Sequence, residues 1–186
     1  QDKKIINHID SSGCGNYHLM LVKGLQKIKN LDFKKRSFIE SAGIPLINPL
    51  VDLGNYVMLE LGAPMHVFDL AKLILPINVH FPQNKNNSVT VIGGDVKDVQ
   101  SSSLTIQDQS RIQAIAGIIG SEASSVSSKT SSIAVEAAFF RPETIVNQAR
   151  KYGLATDASH RFERGVDPEL QQSVLERYLF LLDQIA

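Results

Sequence analysis

Glu136 is the residue with the clearest chemical potential. It lies in Ser132–Phe140, where Ile133, Val135, Ala137 and Phe139 alternate with Ala134, Glu136, Ala138 and Phe140. A strand sends successive side chains to opposite faces. The pattern therefore puts one carboxylate among small and aromatic neighbours. Such a group can accept a hydrogen bond from a hydroxyl, and it can equally pair with an arginine on an exposed strand. His66 follows Pro64-Met65, just beyond a stretch closed by Gly62. A histidine titrates near neutral pH and can orient or deprotonate water. It can also cap a turn. Gly117 and Gly120 stand three apart and would let backbone come close to a ligand, or simply form a tight turn.

Other chemistries are excluded by what is missing. The chain has no phosphate-binding glycine loop, dinucleotide fingerprint, paired-histidine zinc motif or serine nucleophile elbow. The five histidines (His8, His18, His66, His80, His160) show no metal-ligand spacing. No nucleophile, base and acid form an evident set, so any reaction would rest on positioning.

The elements that must hold these residues are read as follows. Residues 1–10 show no period and read as linker remnant, within a division of 1–13 as linker and 14–186 as one domain. Tyr17–Val22 reads as a strand. Lys34–Ala42 and Val51–Leu61 read as helices, stopped by Gly43 and Gly62. Gly54 inside the second costs about 1 kcal/mol relative to alanine. Pro64-Met65-His66 is extended or a turn. Residues 72–118 are β-rich, with short apolar stretches at Ile74–Phe81, Val89–Ile92 and Leu104–Ile106. A loop at 82–88 and a Gly93-Gly94-Asp95 turn divide them. Ile112–Ile119 reads as one buried strand. Ser121–Ser132, with seven serines, reads as a flexible surface loop. Pro142 opens a helix ending near Tyr152-Gly153, and Asp167-Pro168 caps and opens the last one. In that helix Leu170, Val174, Leu175, Tyr178, Leu181, Leu182 and Ile185 keep a helical period. The expected class is α+β, a mixed β-sheet flanked by helices.

Composition sets wider bounds. The 186 residues are 43% hydrophobic, enough for a substantial core. Lys plus Arg and Asp plus Glu number 19 each, so affinity does not rest on a strongly basic surface. Lys23, Lys27, Lys29, Lys34, Lys35 and Arg36 form a local basic run, read as a solvated face. Cys14 is the one cysteine, which rules out an internal disulfide and a cysteine-based zinc site and fits a cytoplasmic setting. No apolar run is long enough to span a bilayer, and no membrane partner is expected. A start at Gln1 and an end inside a helical pattern at Ala186 read as a fragment of a longer chain.

Four stretches become specific together. Val51 to Asp69, Ala116 to Glu122, Val135 to Phe140 and Arg150 to Pro168 resemble, in order and spacing, motifs of bacterial-type phenylalanyl-tRNA synthetase β subunits. The resemblance runs from about Cys14 to the end. It implies the B3/B4 editing domain, which hydrolyses the ester when tyrosine has been attached to tRNA(Phe) in error. It further implies an (αβ)₂ heterotetramer in the cytoplasm and contact with the tRNA(Phe) acceptor end. ATP and Mg²⁺ would serve the parent enzyme, and this fragment would need no cofactor or metal of its own. An editing site is useful because an apolar pocket rejects an added hydroxyl poorly, whereas a site that hydrogen-bonds the hydroxyl selects for it.

By the same resemblance Glu136 reads the tyrosine hydroxyl, and His66, Asn55 and Thr156 handle the ester or its water. Gly54, Ala116, Gly117, Gly120 and Ala158 shape the amino-acid pocket. Read from their alternating charges beside Phe162, Arg161, Glu163 and Arg164 are expected to form a structural ion network rather than to do chemistry. Four positions depart from the family pattern. A threonine is replaced by Gly54, an arginine by Pro45, a glycine by Ser121 and an arginine by Asn16. The alternative they leave open is a non-catalytic tRNA-binding or structural module with a decayed editing site.

Overall fold

The computed structural model describes residues 4–83 and 87–186. In chain order its strands and helices are β1 (Ile6–Ile9), β2 (Cys14–Lys23), α1 (Phe33–Ser41), α2 (Pro49–Leu61), β3 (Met65–Asp69), β4 (Ile77–His80), β5 (Ser88–Thr90), β6 (Val96–Asp98), β7 (Thr105–Gln107), β8 (Ile112–Ile115), β9 (Ile119–Gly120), β10 (Ser132–Phe140), α3 (Pro142–Ile145), α4 (Gln148–Lys151), α5 (Asp157–Arg164) and α6 (Gln171–Ile185). The expected α+β class holds, with sheets flanked by helices.

Strand β10 is the centre of a three-stranded antiparallel sheet of order β2-β10-β3. It is covered on both faces, which its nearly continuous run of apolar residues permits. Ile133, Val135 and Ala137 meet Leu53 and Val57 of α2 and Val174, Tyr178 and Leu181 of α6 in one core. Ala134, Ala138 and Phe140 face the other way. They join Tyr17, Phe68 and Phe162 and the apolar side chains of a five-stranded sheet, β1-β4-β7-β8-β9. The layers are therefore helices, a three-stranded sheet and a five-stranded sheet. Glu136 points into the space between the two sheets. A third cluster joins Val89 and Val91 to β8 and to Ala149 and Tyr152.

The helices that frame the site end at the expected glycines, but α2 starts at Pro49, two residues before the expected Val51. Asn48 accepts from the Leu50 N–H at 3.0 Å, Pro49 takes the first helical position of α2, and Gly62 ends it at φ +84°. Gly43 likewise follows α1 at φ +80°. The last helix buries its expected stripe from Val174 to Ile185, and the Tyr178 hydroxyl donates to the Leu50 carbonyl at 3.0 Å.

Several expectations need correction. Residues 1–10 are not irregular throughout, because Ile6–Ile9 pairs parallel to β4; residues 1–3 lie outside the described residues. The predicted 82–88 loop is described only in part, since 84–86 lie outside it as well. Ile112–Ile119 is not one strand. Gly117, at φ +69°, turns the chain so that β8 and β9 pair as a hairpin. The serine-rich stretch is more ordered than its composition suggests. It carries a 3₁₀ turn at Glu122–Ser124, and buried Thr130 donates to Asp69 at 2.8 Å. The helix opened by Pro142 breaks at Asn147, whose φ of +63° separates α3 from α4. Finally, α6 begins at Gln171, not at Pro168. Asp167 folds an Asx turn instead, accepting from the Glu169 N–H at 2.9 Å.

Candidate active site

Register places the main residues. Across β10 and β3, Glu136 stands directly opposite His66; across β10 and β2, Tyr17 stands opposite Ala138. Residues two apart share a face, so Tyr17 is a diagonal neighbour of Glu136, within reach of an aromatic side chain. The Tyr17 hydroxyl donates to Glu136 Oε2 at 2.9 Å, and both residues are buried. Glu136 Oε1 has no hydrogen-bond partner among the described residues and is not sealed away. It looks into the recess that Glu136 lines.

Burial dominates the electrostatics. Water is withdrawn from Glu136, which pushes its carboxyl up to about 7, and the Tyr17 hydrogen bond opposes this only in part. The phenol of Tyr17 is itself raised well above its ordinary value, mainly by burial, and so stays a donor. His66 is pushed down to about 4 by the same loss of water, so its ring is neutral at pH 7. The residue as a whole is half-buried, whereas its Nε2 is fully covered and has no partner among the described residues. Nδ1 is not sealed in this way. Phe68 holds the ring edge to face at a centroid distance of 4.4 Å.

Gly120 makes room for that ring. A Cβ there would lie 2.4 Å from His66 Cε1 and 2.6 Å from Nε2, which no structure tolerates unshifted. Gly117 is constrained twice, by its positive φ and by Ile145, Phe140 and Phe162, all within 3.2 Å of where a Cβ would stand. These two glycines therefore serve both the turn and the close approach.

The cleft has two connected chambers. The inner one, about 60 Å³, is lined by His66, Gly117, Gly120, Glu136, Ala158 and Phe162, among others. The outer one, about 440 Å³, shares His66, Gly120 and Ala158 and adds Gly54, Asn55 and Thr156. Eight of the nine expected site residues thus meet in one cleft. The ninth, Ala116, does not line it; it is buried in the core between the sheets.

Thr156 reaches the outer chamber but its hydroxyl is occupied. It caps α5 by accepting from the Ser159 N–H at 3.0 Å and donates to the Ile118 carbonyl at 3.0 Å. The bonding assigns it to holding α5 against the β8–β9 turn rather than to proton transfer. Asn55 sits inside α2 rather than at a cap. The expected ion network is partial. Glu163 accepts from Arg164 at 3.4 Å and faces His160 at 3.9 Å, but Arg161 Nε is covered without a partner among the described residues. In the basic run only Lys35 is half-buried, where it pairs with Asp32; the other five are exposed.

The sequence reading missed Tyr17, Pro64, Met65, Ile118, Ile119 and Phe162. Tyr17 carried a signal in its position on a strand that could pair with β10, but pairing partners are not written in a single sequence. Among the described residues no group of three or more His, Cys, Asp or Glu side chains could hold a metal, and no helix is long and apolar enough to cross a membrane.

Comparison with known proteins places the chain in a family. The B3/4 domain profile matches residues 13–186. The phenylalanine–tRNA ligase β subunit of Mannheimia succiniciproducens is 42% identical over 184 residues, covering 99% of this chain and 23% of that protein. The β subunit of Haemophilus influenzae is 41% identical over the same length, and that of Methylococcus capsulatus 39% over 186 residues. The chain thus spans about a quarter of these relatives. An N-terminal fragment of the phenylalanyl-tRNA synthetase β subunit from Pyrococcus horikoshii shares the fold. Its TM-score is 0.52 at 15% identity, covering 74% of this chain and 44% of that one. The profile match over nearly the whole chain, with these relatives, establishes that the chain belongs to the B3/4 domain family.

Proposed function

We propose that this chain is the editing domain of a phenylalanine–tRNA ligase β subunit and hydrolyses the ester of tyrosine misattached to tRNA(Phe). The observation that carries this reading is Glu136, whose Oε1 has no partner among the described residues, in a chamber that apolar side chains such as Met65, Ile118 and Phe162 also line. A phenolic hydroxyl donating to that oxygen makes a charge-assisted hydrogen bond, worth roughly 1.5–3 kcal/mol. A phenyl ring would leave the oxygen desolvated and unpaired, so phenylalanine is disfavoured.

The tyrosine ring would enter the inner chamber, and the ester and terminal adenosine would occupy the outer one. Hydrolysis adds water to the ester carbonyl carbon and breaks its bond to the ribose oxygen, which takes up a proton as it leaves. His66 is neutral near pH 7, with Nδ1 unsealed beside the cleft, and so suits orienting that water or accepting its proton. Held geometry supplies most of the remaining advantage. In the whole protein the β subunit would pair with an α subunit as an (αβ)₂ heterotetramer in the cytoplasm. It would bind the tRNA(Phe) acceptor end and use ATP and Mg²⁺ for aminoacylation elsewhere.

A second reading is a module that binds tRNA without hydrolysing. It is favoured by the outer chamber's lining, where Gly54 has no hydroxyl and that of Thr156 is engaged. The test is deacylation of Tyr-tRNA(Phe) and Phe-tRNA(Phe) by the assembled synthetase. Tyrosine-selective hydrolysis that Glu136→Ala abolishes supports editing. Equal, background hydrolysis of both by wild type and mutant replaces editing with the binding module.

A further inference from the structure

The contact that the editing reading leaves unexplained is the one between Tyr17 and Glu136. A carboxylate placed to read a phenol is already bound by one, from the protein itself. We propose that Tyr17 is a specificity-determining positioning residue: its hydroxyl fixes Glu136 Oε2, so that Oε1 alone is turned into the recess as the acceptor for a ligand's phenolic hydroxyl. This inference rests on the proposed selection of tyrosine.

Three observations carry it. First, Tyr17 is rigidly mounted. It is buried, paired opposite Ala138 on β10, and packed with Phe68, Ala134 and Phe140. Second, its only proton goes to Glu136, so it cannot donate to a ligand and acts through the carboxylate alone. Third, Oε2 is held while Oε1 has no described partner. A carboxylate with two free oxygens could turn about its terminal torsion and present either edge, or draw water into the recess to satisfy both. With one oxygen fixed, the acceptor direction of the other is set before a ligand arrives. Organisation in advance converts a hydrogen bond into discrimination. The fixed phenol also counteracts part of the effect of burial on Glu136 and so favours its ionised form, the stronger acceptor.

The test measures binding separately from hydrolysis. The probes are tyrosine and phenylalanine each joined by an amide to 3′-amino-3′-deoxyadenosine, which cannot be deacylated as an ester is. Binding to the assembled synthetase is followed by calorimetry for wild type, Tyr17→Phe and Glu136→Ala, from pH 6 to pH 9. Tyr17→Phe keeps the ring and removes one oxygen, so the core stays filled. Wild type is expected to prefer the tyrosyl probe, and Tyr17→Phe to lose roughly tenfold or more of that preference. The pH at which the remaining preference appears should also move upward, because Glu136 has lost the bond that lowered its titration. A purely structural role for Tyr17 would weaken both probes alike and leave that pH where it was, which overturns the proposal. No preference in wild type overturns it together with tyrosine selection. Preference that Tyr17→Phe abolishes, in an enzyme that does not deacylate Tyr-tRNA(Phe), supports the proposal and removes only the hydrolytic reading.

Discussion

Glu136 and His66 face each other across the β10–β3 pair, and burial drives their titrations in opposite directions. Glu136 resists ionising up to about pH 7, and His66 resists protonation down to about pH 4. Neither is charged between those limits, so the pair is not an ion pair at any pH in that window.

Stability should therefore depend on pH through two opposed slopes. A carboxyl raised from 4.5 to about 7 contributes stability that is full below pH 4.5 and lost as pH rises through 7. The loss is about 3 kcal/mol at most. A histidine lowered from 6.5 to about 4 contributes stability that is full above pH 6.5 and lost as pH falls through 4. Its share is smaller, because the ring's other side opens to the cleft. From pH 4.5 to 6.5 the two oppose each other, and wild type should show a shallow net slope. Glu136→Gln should leave only the rising limb and should stabilise the chain above pH 7. Urea unfolding of both proteins across pH 4 to 9 checks this; parallel profiles would refute the assigned titrations.

The same pair sets the pH dependence of the proposed activity. Ionised Glu136 is the better acceptor for a phenol, so selectivity for tyrosine should climb through about pH 7. His66 is already neutral there, so its own limb should lie near pH 4. Deacylation of Tyr-tRNA(Phe) as a function of pH separates the two. An acid limb near pH 7 that Glu136→Gln abolishes agrees with this; a limb unchanged by Glu136→Gln would assign it elsewhere.

Gly120→Ala should displace His66. The added methyl would stand 2.4 Å from Cε1, and Phe68 packs edge to face against the same ring. A shift of the ring by even an ångström costs catalytic geometry, on the order of a hundredfold in rate. Binding of a tyrosyl probe to Glu136 should suffer less. The measurement is kcat against KM for deacylation; a rate within twofold of wild type would show that His66 has no positional role.

Much of this site was legible in the sequence because its signals are local. The alternation through Ser132–Phe140, the glycines at 117 and 120 and the stop of α2 at Gly62 depend on neighbours in the chain. What was not legible depends on pairing at a distance. Nothing in the chain states that His66 falls opposite Glu136, or Tyr17 opposite Ala138. Nor can composition show that Ser121–Ser132 is tied down through Thr130 and Asp69, since that bond spans 61 positions. The misplaced start of α6 has a different cause. Asp-Pro suits both a helix cap and a turn, and the turn won through the Asp167 side chain.

Gly54 offers the sharpest test of whether the outer chamber has lost a function. Glycine inside α2 is unfavourable by about 1 kcal/mol relative to alanine. Here a methyl would meet only Met65, with Cγ at 3.4 Å and Sδ at 3.6 Å, an ordinary contact with a flexible side chain. Packing therefore does not require the glycine. Gly54→Ala should stabilise the chain by up to about 1 kcal/mol in urea unfolding. Gly54→Thr would also return a hydroxyl to the outer chamber, beside Asn55 and His66. If hydrolysis is weak because that hydroxyl is missing, Gly54→Thr should raise Tyr-tRNA(Phe) deacylation well above the Gly54→Ala rate. Equal rates for the two variants would mean that water is positioned without a side chain at this point, and that Gly54 does not mark a decayed site.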